Sequence, residues 1–187
     1  MAQSQPKIRL FVEAALGPGG EVALGREQAH YLFSVMRRGE GDRFLVFNGR
    51  DGEWLAEVAE SGRRAGRLAL LERVREQDSP PDLWLLFAPL KKARTDFVAE
   101  KACEMGCRRL LPVFTRNTNA ERVKRERLAA HAVEAAEQCG LLTVPEVAEP
   151  ASLDRVLAGW PAGRRLLFCD ERGTAPPAQE VLRAAGE

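Results

Sequence analysis

The 187-residue chain lacks most of the signatures that announce a chemistry. No G-x-G-x-x-G follows a strand-like run and no G-x-x-x-x-G-K-[ST] occurs, so the usual dinucleotide and P-loop devices are missing. There is no G-x-S-x-G elbow and no H-E-x-x-H, and two histidines in all make a histidine-based triad a poor fit. Lysine and arginine number 28 against 27 aspartates and glutamates, a formal net charge of +1. No global field therefore draws in nucleic acid, and any such binding has to come from a local patch. No apolar run approaches the roughly 20 residues of a membrane span, and the stretch Met1–Lys7 lacks the apolar centre of a signal peptide. The four cysteines, Cys103, Cys107, Cys139 and Cys169, contain no Cys-x-x-Cys pair. Cys103 and Cys107 are four apart near a helix end and could hold a metal with His131 and Cys139, but reduced, packed thiols are the plainer reading. These absences together describe a cytoplasmic chain with neither a metal nor a membrane partner.

What is present divides in two. Residues 76–82, Glu-Gln-Asp-Ser-Pro-Pro-Asp, are polar, and paired prolines continue neither a helix nor a ladder, so they mark a linker between residues 1–75 and 83–187. Before it the pattern is short strands: Ile8–Val12, Glu21–Leu24, Arg43–Phe47, an alternating run with Trp54, Ala56 and Val58 on one face, and Leu68–Val74. The Asn48–Gly52 segment between two of them is a strong turn. Strands at this spacing predict a small barrel. One helix interrupts them, about Glu27 to Arg38. Ala29, Leu32, Phe33 and Met36 face inward at helical spacing, which turns His30, Ser34, Arg37 and Arg38 outward. An imidazole beside two guanidiniums suits phosphate contacts, although a plain solvated surface explains the same pattern. Arg9, Arg43 and Arg50 add cationic charge to the same half.

After the linker, strands alternate with helices: strand Leu83–Ala88, helix Lys92–Met105 ending at Gly106, strand Arg109–Phe114, helix Glu121–Cys139 ending at Gly140, a short helix Ser152–Leu157, strand Arg165–Cys169, and a helix from Pro177 to Ala185. Such alternation predicts a parallel sheet with helices on both faces. The first strand runs into Pro89-Leu90-Lys91-Lys92, and open α/β folds bind ligands where a strand end feeds a helix. Lysines there suit an anionic partner, a phosphate, nucleotide or RNA. The residues alone lead to an RNA-binding barrel joined to an α/β domain with a basic edge, and to no particular reaction.

Several runs, in order, resemble one bacterial family. They are Arg9-Leu10-Phe11-Val12, His30 through Arg37, Phe47-Asn48-Gly49-Arg50-Asp51-Gly52-Glu53-Trp54, Lys101 through Gly106, Leu111-Pro112, Thr115-Arg116, Glu134 through Gly140, and Val144-Pro145. The chain is similar to the 16S rRNA uridine-N3 methyltransferases (RsmE-type, SPOUT class). That resemblance implies an N-terminal PUA-like β-barrel followed by a SPOUT-type, trefoil-knot-class parallel α/β domain. It also implies S-adenosylmethionine as cofactor, 16S rRNA or the 30S subunit as partner, and a homodimer for the complete protein. It places RNA contacts at Arg9, His30, Arg37, Arg38, Asn48, Arg50, Lys91, Lys92, Lys101 and Arg116, and the edge of a cofactor pocket at Leu90, Thr115, Glu137 and Gln138, with no residue assigned as the proton acceptor. The family's Gly-Pro-Glu-Gly-like and Leu-Arg-x-Glu-Thr-Ala-like loops do not occur here, so the α/β domain is expected to be incomplete at its C-terminus and its activity uncertain. Cys139 and Leu141 depart from the serine and arginine common in the family, which puts one basic contact in doubt. The alternative of another class is a non-catalytic RNA-binding module.

Overall fold

The structure, a computed structural model, describes residues 6–118, 120 and 122–185. Its contacts divide into two compact units, Met1–Leu153 and Asp154–Glu187.

The first unit opens with strands β1 (Arg9–Phe11), β2 (Glu21–Leu24), β3 (Arg43–Phe47), β4 (Glu53–Ser61) and β5 (Gly66–Arg75), which form one sheet in the order β1-β3-β4-β5-β2. Only the β1–β3 pair is parallel. Period-two alternation puts Trp54, Ala56 and Val58 of β4 inside with Leu10, Val22, Phe44, Val46 and Leu68. The expected barrel takes the form of an open sheet, because β1 and β2 are its two edges and do not pair with each other among the described residues.

The interrupting helix is also not continuous. Helix α1 covers Arg26–Ala29 and gives way to a π-helical stretch, His30–Val35, closed by the Met36 amide donating to the Tyr31 carbonyl, five residues back. Arg37 then turns to φ 52°, the one positive φ outside glycine among the described residues. The wider π turn and this reversal break the helical face that His30, Arg37 and Arg38 were expected to share. All three are exposed.

The turn after β3 is built from its own side chains. Asn48 accepts from the amides of Arg50 and Asp51 through Oδ1, and its Nδ2 donates to the Ala14 carbonyl and to Asp51. The Leu16 amide, which donates to the Asp51 carboxyl, and after it the Asn48 side chain hold that carboxyl below its ordinary value. Gly52 closes the turn at φ +80°, and a Cβ there would sit 2.3 Å from the Arg75 carbonyl oxygen. Gly52→Ala is expected to cost at least about 1–3 kcal/mol from backbone strain alone, read as a lowered midpoint in urea. A midpoint equal to wild type would mean that the turn tolerates the side chain.

Strands β6 (Trp84–Phe87), β7 (Arg109–Phe114) and β8 (Glu146–Val147) make a second, wholly parallel sheet, and β9 (Ala151–Ser152) adds to the far end of β7. Pro112 stands in the middle of central β7, where a missing N–H ordinarily breaks a ladder. The Leu110 carbonyl accepts from Ala148, so even-numbered residues of β7 face β8 and β9. β8 pairs only through Leu110 and β9 only from Val113, so Pro112 meets the gap between them.

Helices α2 (Lys92–Glu104) and α3 (Arg125–Cys139) connect these strands and pack on each other through small side chains, among them Ala99, Ala102, Cys103, Ala132 and Ala136. They lie on one face, not two. Strand order follows chain order here, so successive right-handed crossovers fall on the same side. α3 starts later than the periodicity suggests, at Arg125, and Glu121 lies outside the described residues.

The second unit contains most of α4 (Leu153–Ala158) and α5 (Ala178–Ala185). The expected strand Arg165–Cys169 is absent: no described strand pairs with it, and Leu166 and Phe168 lie exposed. No helix of the described residues is long and apolar enough to cross a membrane.

Candidate functional site: a basic cleft at the starts of α2 and α3

The strand end singled out in the sequence opens into a cleft of about 720 Å³. Its floor is Ala88-Pro89-Leu90, and its walls are the first turns of α2 and α3. The Thr95 hydroxyl donates to the Leu90 carbonyl at 2.9 Å and accepts from the Leu90 amide at 2.8 Å, which fixes the strand-to-helix corner. Among the described residues six cationic side chains line the space, Lys91, Lys92, Arg94, Arg122, Lys124 and Arg127, against one carboxylate, Asp96. Asp96 is buried and takes two hydrogen bonds from the Arg127 guanidinium. That pair neutralises itself and leaves the other five charges over. Lys91 and Lys92 thus sit where the sequence placed them, whereas Arg94, Arg122 and Lys124 were missed. Finding the last two requires knowing where α3 begins.

The other expected residues do not gather here. Arg116 and Thr115 occupy the exposed turn after β7, where Thr115 pairs with the Thr118 hydroxyl. Lys101 is further along α2, donating to both Glu104 oxygens and lying 5.6 Å from the Phe97 ring centroid; the Glu104 hydrogen bond raises its pKa. Glu137 and Gln138 lie near the opposite end of α3, ten residues or about 15 Å of helix beyond Arg127. They line a second cleft with Lys7, Phe11 and Tyr31. The expected cofactor edge is therefore split between two places.

Two of the residues expected to contact RNA are engaged within the fold. Asn48 is buried and engaged within its own turn. Arg9 is partly buried, in an ion pair with Glu53 at 2.6 Å, and donates to the carbonyls of Ala136, Glu137 and Leu141, so its guanidinium is shared between Glu53 and the end of α3. Arg50 keeps an exposed side chain and donates to the Glu13 carbonyl.

Glu137 accepts from the Phe11 amide at 2.8 Å. Burial pushes its carboxyl above the ordinary 4.5, against the opposing pull of that amide and of Arg9. A raised acid is best accommodated protonated. Its contribution to stability is therefore fullest below 4.5 and is lost as pH rises through the folded value. Glu137→Gln keeps an acceptor and removes the charge, so it is expected to raise the melting temperature at pH 7–8, with the gain disappearing below pH 4.5. A gain that grows on acidification would refute this.

Among the described residues no group of three or more His, Cys, Asp or Glu could hold a metal ion. Cys103 is buried, its thiol pushed by burial up to about 12, and it donates to the Ala132 carbonyl.

Residues 77–186 match the family model of an RNA methyltransferase domain, and residues 24–70 that of an RNA methyltransferase PUA domain. The chain belongs to the RNA methyltransferase family. It is 30% identical over 181 residues to the ribosomal RNA small subunit methyltransferase E of a Synechocystis strain, and 27% identical over 150 residues to that of Rickettsia conorii. These alignments cover 89% and 80% of this chain, which spans 59% and 62% of the two relatives' own lengths. Among solved structures, a methyltransferase from Legionella pneumophila with bound SAM superposes with a TM-score of 0.74 at 22% identity, covering 82% of this chain and 66% of the other. The ribosomal RNA small subunit methyltransferase E of Neisseria gonorrhoeae, bound to S-adenosyl methionine, gives 0.74 at 20% identity, covering 83% and 66%. At these identities the likeness concerns the fold: a PUA-type sheet followed by a SPOUT-type parallel α/β domain.

Proposed function

We propose that this RNA methyltransferase chain serves the N3-methylation of a uridine in 16S rRNA, on the 30S subunit and in the cytoplasm, with S-adenosylmethionine as methyl donor and a homodimer as the complete protein's working form. In this reading residues 1–75 guide RNA, 76–82 link, and 83–187 belong to the catalytic half. The observation that carries it is the family match, which places an RNA methyltransferase domain over the half that holds the basic cleft. The names of the relatives support rRNA as the substrate class.

The chemistry is demanding. Uridine N3 is an imide nitrogen that must lose its proton, and the base must leave its stack to be reached. Cations beside the imide oxygens stabilise the anion formed. Lys91, Lys92 and Arg116 lie on elements at that end of the sheet. The cleft itself does not fit the cofactor. Its sulfonium is a cation, and five unmatched cations surround the space.

Incubating this chain with methyl-labelled cofactor and 30S subunits lacking the mark should place label on one uridine, identified as N3-methyluridine by mass spectrometry. RNA binding with no S-adenosylhomocysteine binding by calorimetry would instead support the non-catalytic RNA-binding module, which the cleft's preference for anions favours.

On the sheet half, His30, Arg37, Arg38 and Arg50 are the exposed candidates for RNA contact. Arg37→Ala with Arg38→Ala should make the slope of log K against log salt shallower by about 1.4–1.8, since each phosphate contact releases counterions. An unchanged slope would remove these residues from the interface.

A further inference from the structure

Among the described residues, five cations share one concave space whose single carboxylate, Asp96, is taken by Arg127. Lys91, Lys92, Arg94, Arg122 and Lys124 are exposed around the cleft, and among the described residues none of them takes an ion pair or a side-chain hydrogen bond. Like charges held this close repel one another, which costs stability unless something negative sits among them.

The backbone adds to the same field. α2 begins behind Lys91 and α3 behind Lys124, each in extended conformation and each without a side-chain cap. A cap is ordinarily Ser, Thr, Asp or Asn, whose oxygen accepts from the first free amides. A lysine cannot accept. The first bonds made at these ends come from Arg94 and Thr95 to the Lys91 carbonyl, and from Arg127 and Leu128 to the Lys124 carbonyl. The amides of Lys92, Ala93, Arg125 and Glu126 therefore remain without an intrahelical acceptor. Two positive helix ends converge on a cleft that five side chains already make positive. Glu126, the acid in the first turn of α3, is not part of the lining and pairs with Arg125.

We propose that this cleft seats the phosphodiester backbone of the RNA strand that carries the target base, held by Lys91, Lys92, Arg94, Arg122 and Lys124 between the starts of α2 and α3. The inference rests on the reading that the substrate is RNA. It assigns the cleft to substrate phosphate and not to the cofactor, and it brings in Arg94, Arg122 and Lys124.

The test uses the whole chain, two probes and one variant in which Lys92, Arg94, Arg122 and Lys124 are each replaced by glutamine. All four side chains are exposed and their charges repel one another, so the variant should melt no lower than the wild type does. With a labelled 16S rRNA fragment, the slope of log K against log salt should become shallower by about 3 in the variant, taking the single-strand value per phosphate. With pyrophosphate, the amide resonances of Lys92, Ala93, Arg125 and Glu126 in the wild type should shift saturably, a readout that stands even if the variant does not fold. Wild-type RNA binding with an unchanged slope in a folded variant overturns the cleft assignment and leaves the RNA reading intact. Saturable pyrophosphate shifts with no RNA binding overturn RNA as the source and keep a phosphate seat. Neither response overturns both.

Discussion

Replacing Arg9 by alanine is expected to lower the free energy of unfolding by about 3–5 kcal/mol, the range for breaking a buried ion pair from one side. Arg9 side-chain exposure is 10% and that of its partner Glu53 is 4%. The guanidinium does three things together. Its Nε donates to Glu53 at 2.6 Å, its Nη atoms donate to the carbonyls of Ala136, Glu137 and Leu141 at 2.6–3.0 Å, and its plane lies 4.5 Å from the Phe47 ring centroid. The last carbonyls of a helix lack intrahelical donors. Here Gly140, at φ 75°, returns its amide to Ala136, and two arginines of the sheet satisfy much of the rest, Arg75 donating to the Gly140 carbonyl at 2.8 Å. Without Arg9, Glu53 keeps only Arg75 at 3.7 Å among the described residues, and three carbonyls lose a donor in a partly buried place. Arg9→Lys should recover only part of the loss, because an ammonium cannot reproduce the fork that reaches both Glu53 and the helix end. Arg9→Met combined with Glu53→Leu should cost less than the sum of the single changes, since neither charge is then stranded. Urea unfolding of the wild type, of these three variants and of the single changes Arg9→Met and Glu53→Leu measures this. An Arg9→Ala loss below about 1 kcal/mol, the ordinary value of an exposed pair, would show that the latch is solvated.

This latch explains where sequence reading stops. Arg9 reads as a surface cation because its charge is visible and its partners are not. The groups it binds are backbone carbonyls 127–132 positions away and a glutamate 44 away. Local patterns fare better. Alternation in β4 and the strand-to-helix corner at Pro89 depend on neighbours in the chain, and both are where the pattern puts them. Glu137 and Gln138 are separated from Leu90 for a geometric reason: they share a helix with the cleft but stand near its other end. The π-helical stretch carries no residue signal, since His30–Val35 has ordinary helical composition and only the five-back hydrogen bond reveals it. Arg165–Cys169 has the apolar character of a strand, but a strand exists only beside another, and the described sheets do not extend to it.

Phe47→Ala should be comparably severe, about 3–5 kcal/mol, at the upper part of the range for large-to-small core changes. Phe47 is fully buried at the end of β3, in the cluster where the first sheet meets α3. On the helix side that cluster offers Ala132, Ala135, Ala136 and Cys103, too short to move into the space left behind, so only Leu142 and the partly buried Phe11, Leu141 and Val144 can close part of it. The loss should therefore be transfer energy plus a partly relaxed cavity. Two further contacts go with the ring: the edge of Phe11, with centroids 5.6 Å apart at 69°, and the Arg9 guanidinium above it. Phe47→Leu keeps most of the volume and should cost well under half as much. Phe97→Ala, at a ring that is 56% exposed on α2, should cost under about 1 kcal/mol. Because Phe47 and Arg9 touch, their alanine changes should not add, and a double-mutant cycle should give a coupling of about 0.5–3 kcal/mol. Additivity within error would mean that the ring and the guanidinium stabilise the α3 end independently, and the contact between them would then carry no share of the latch.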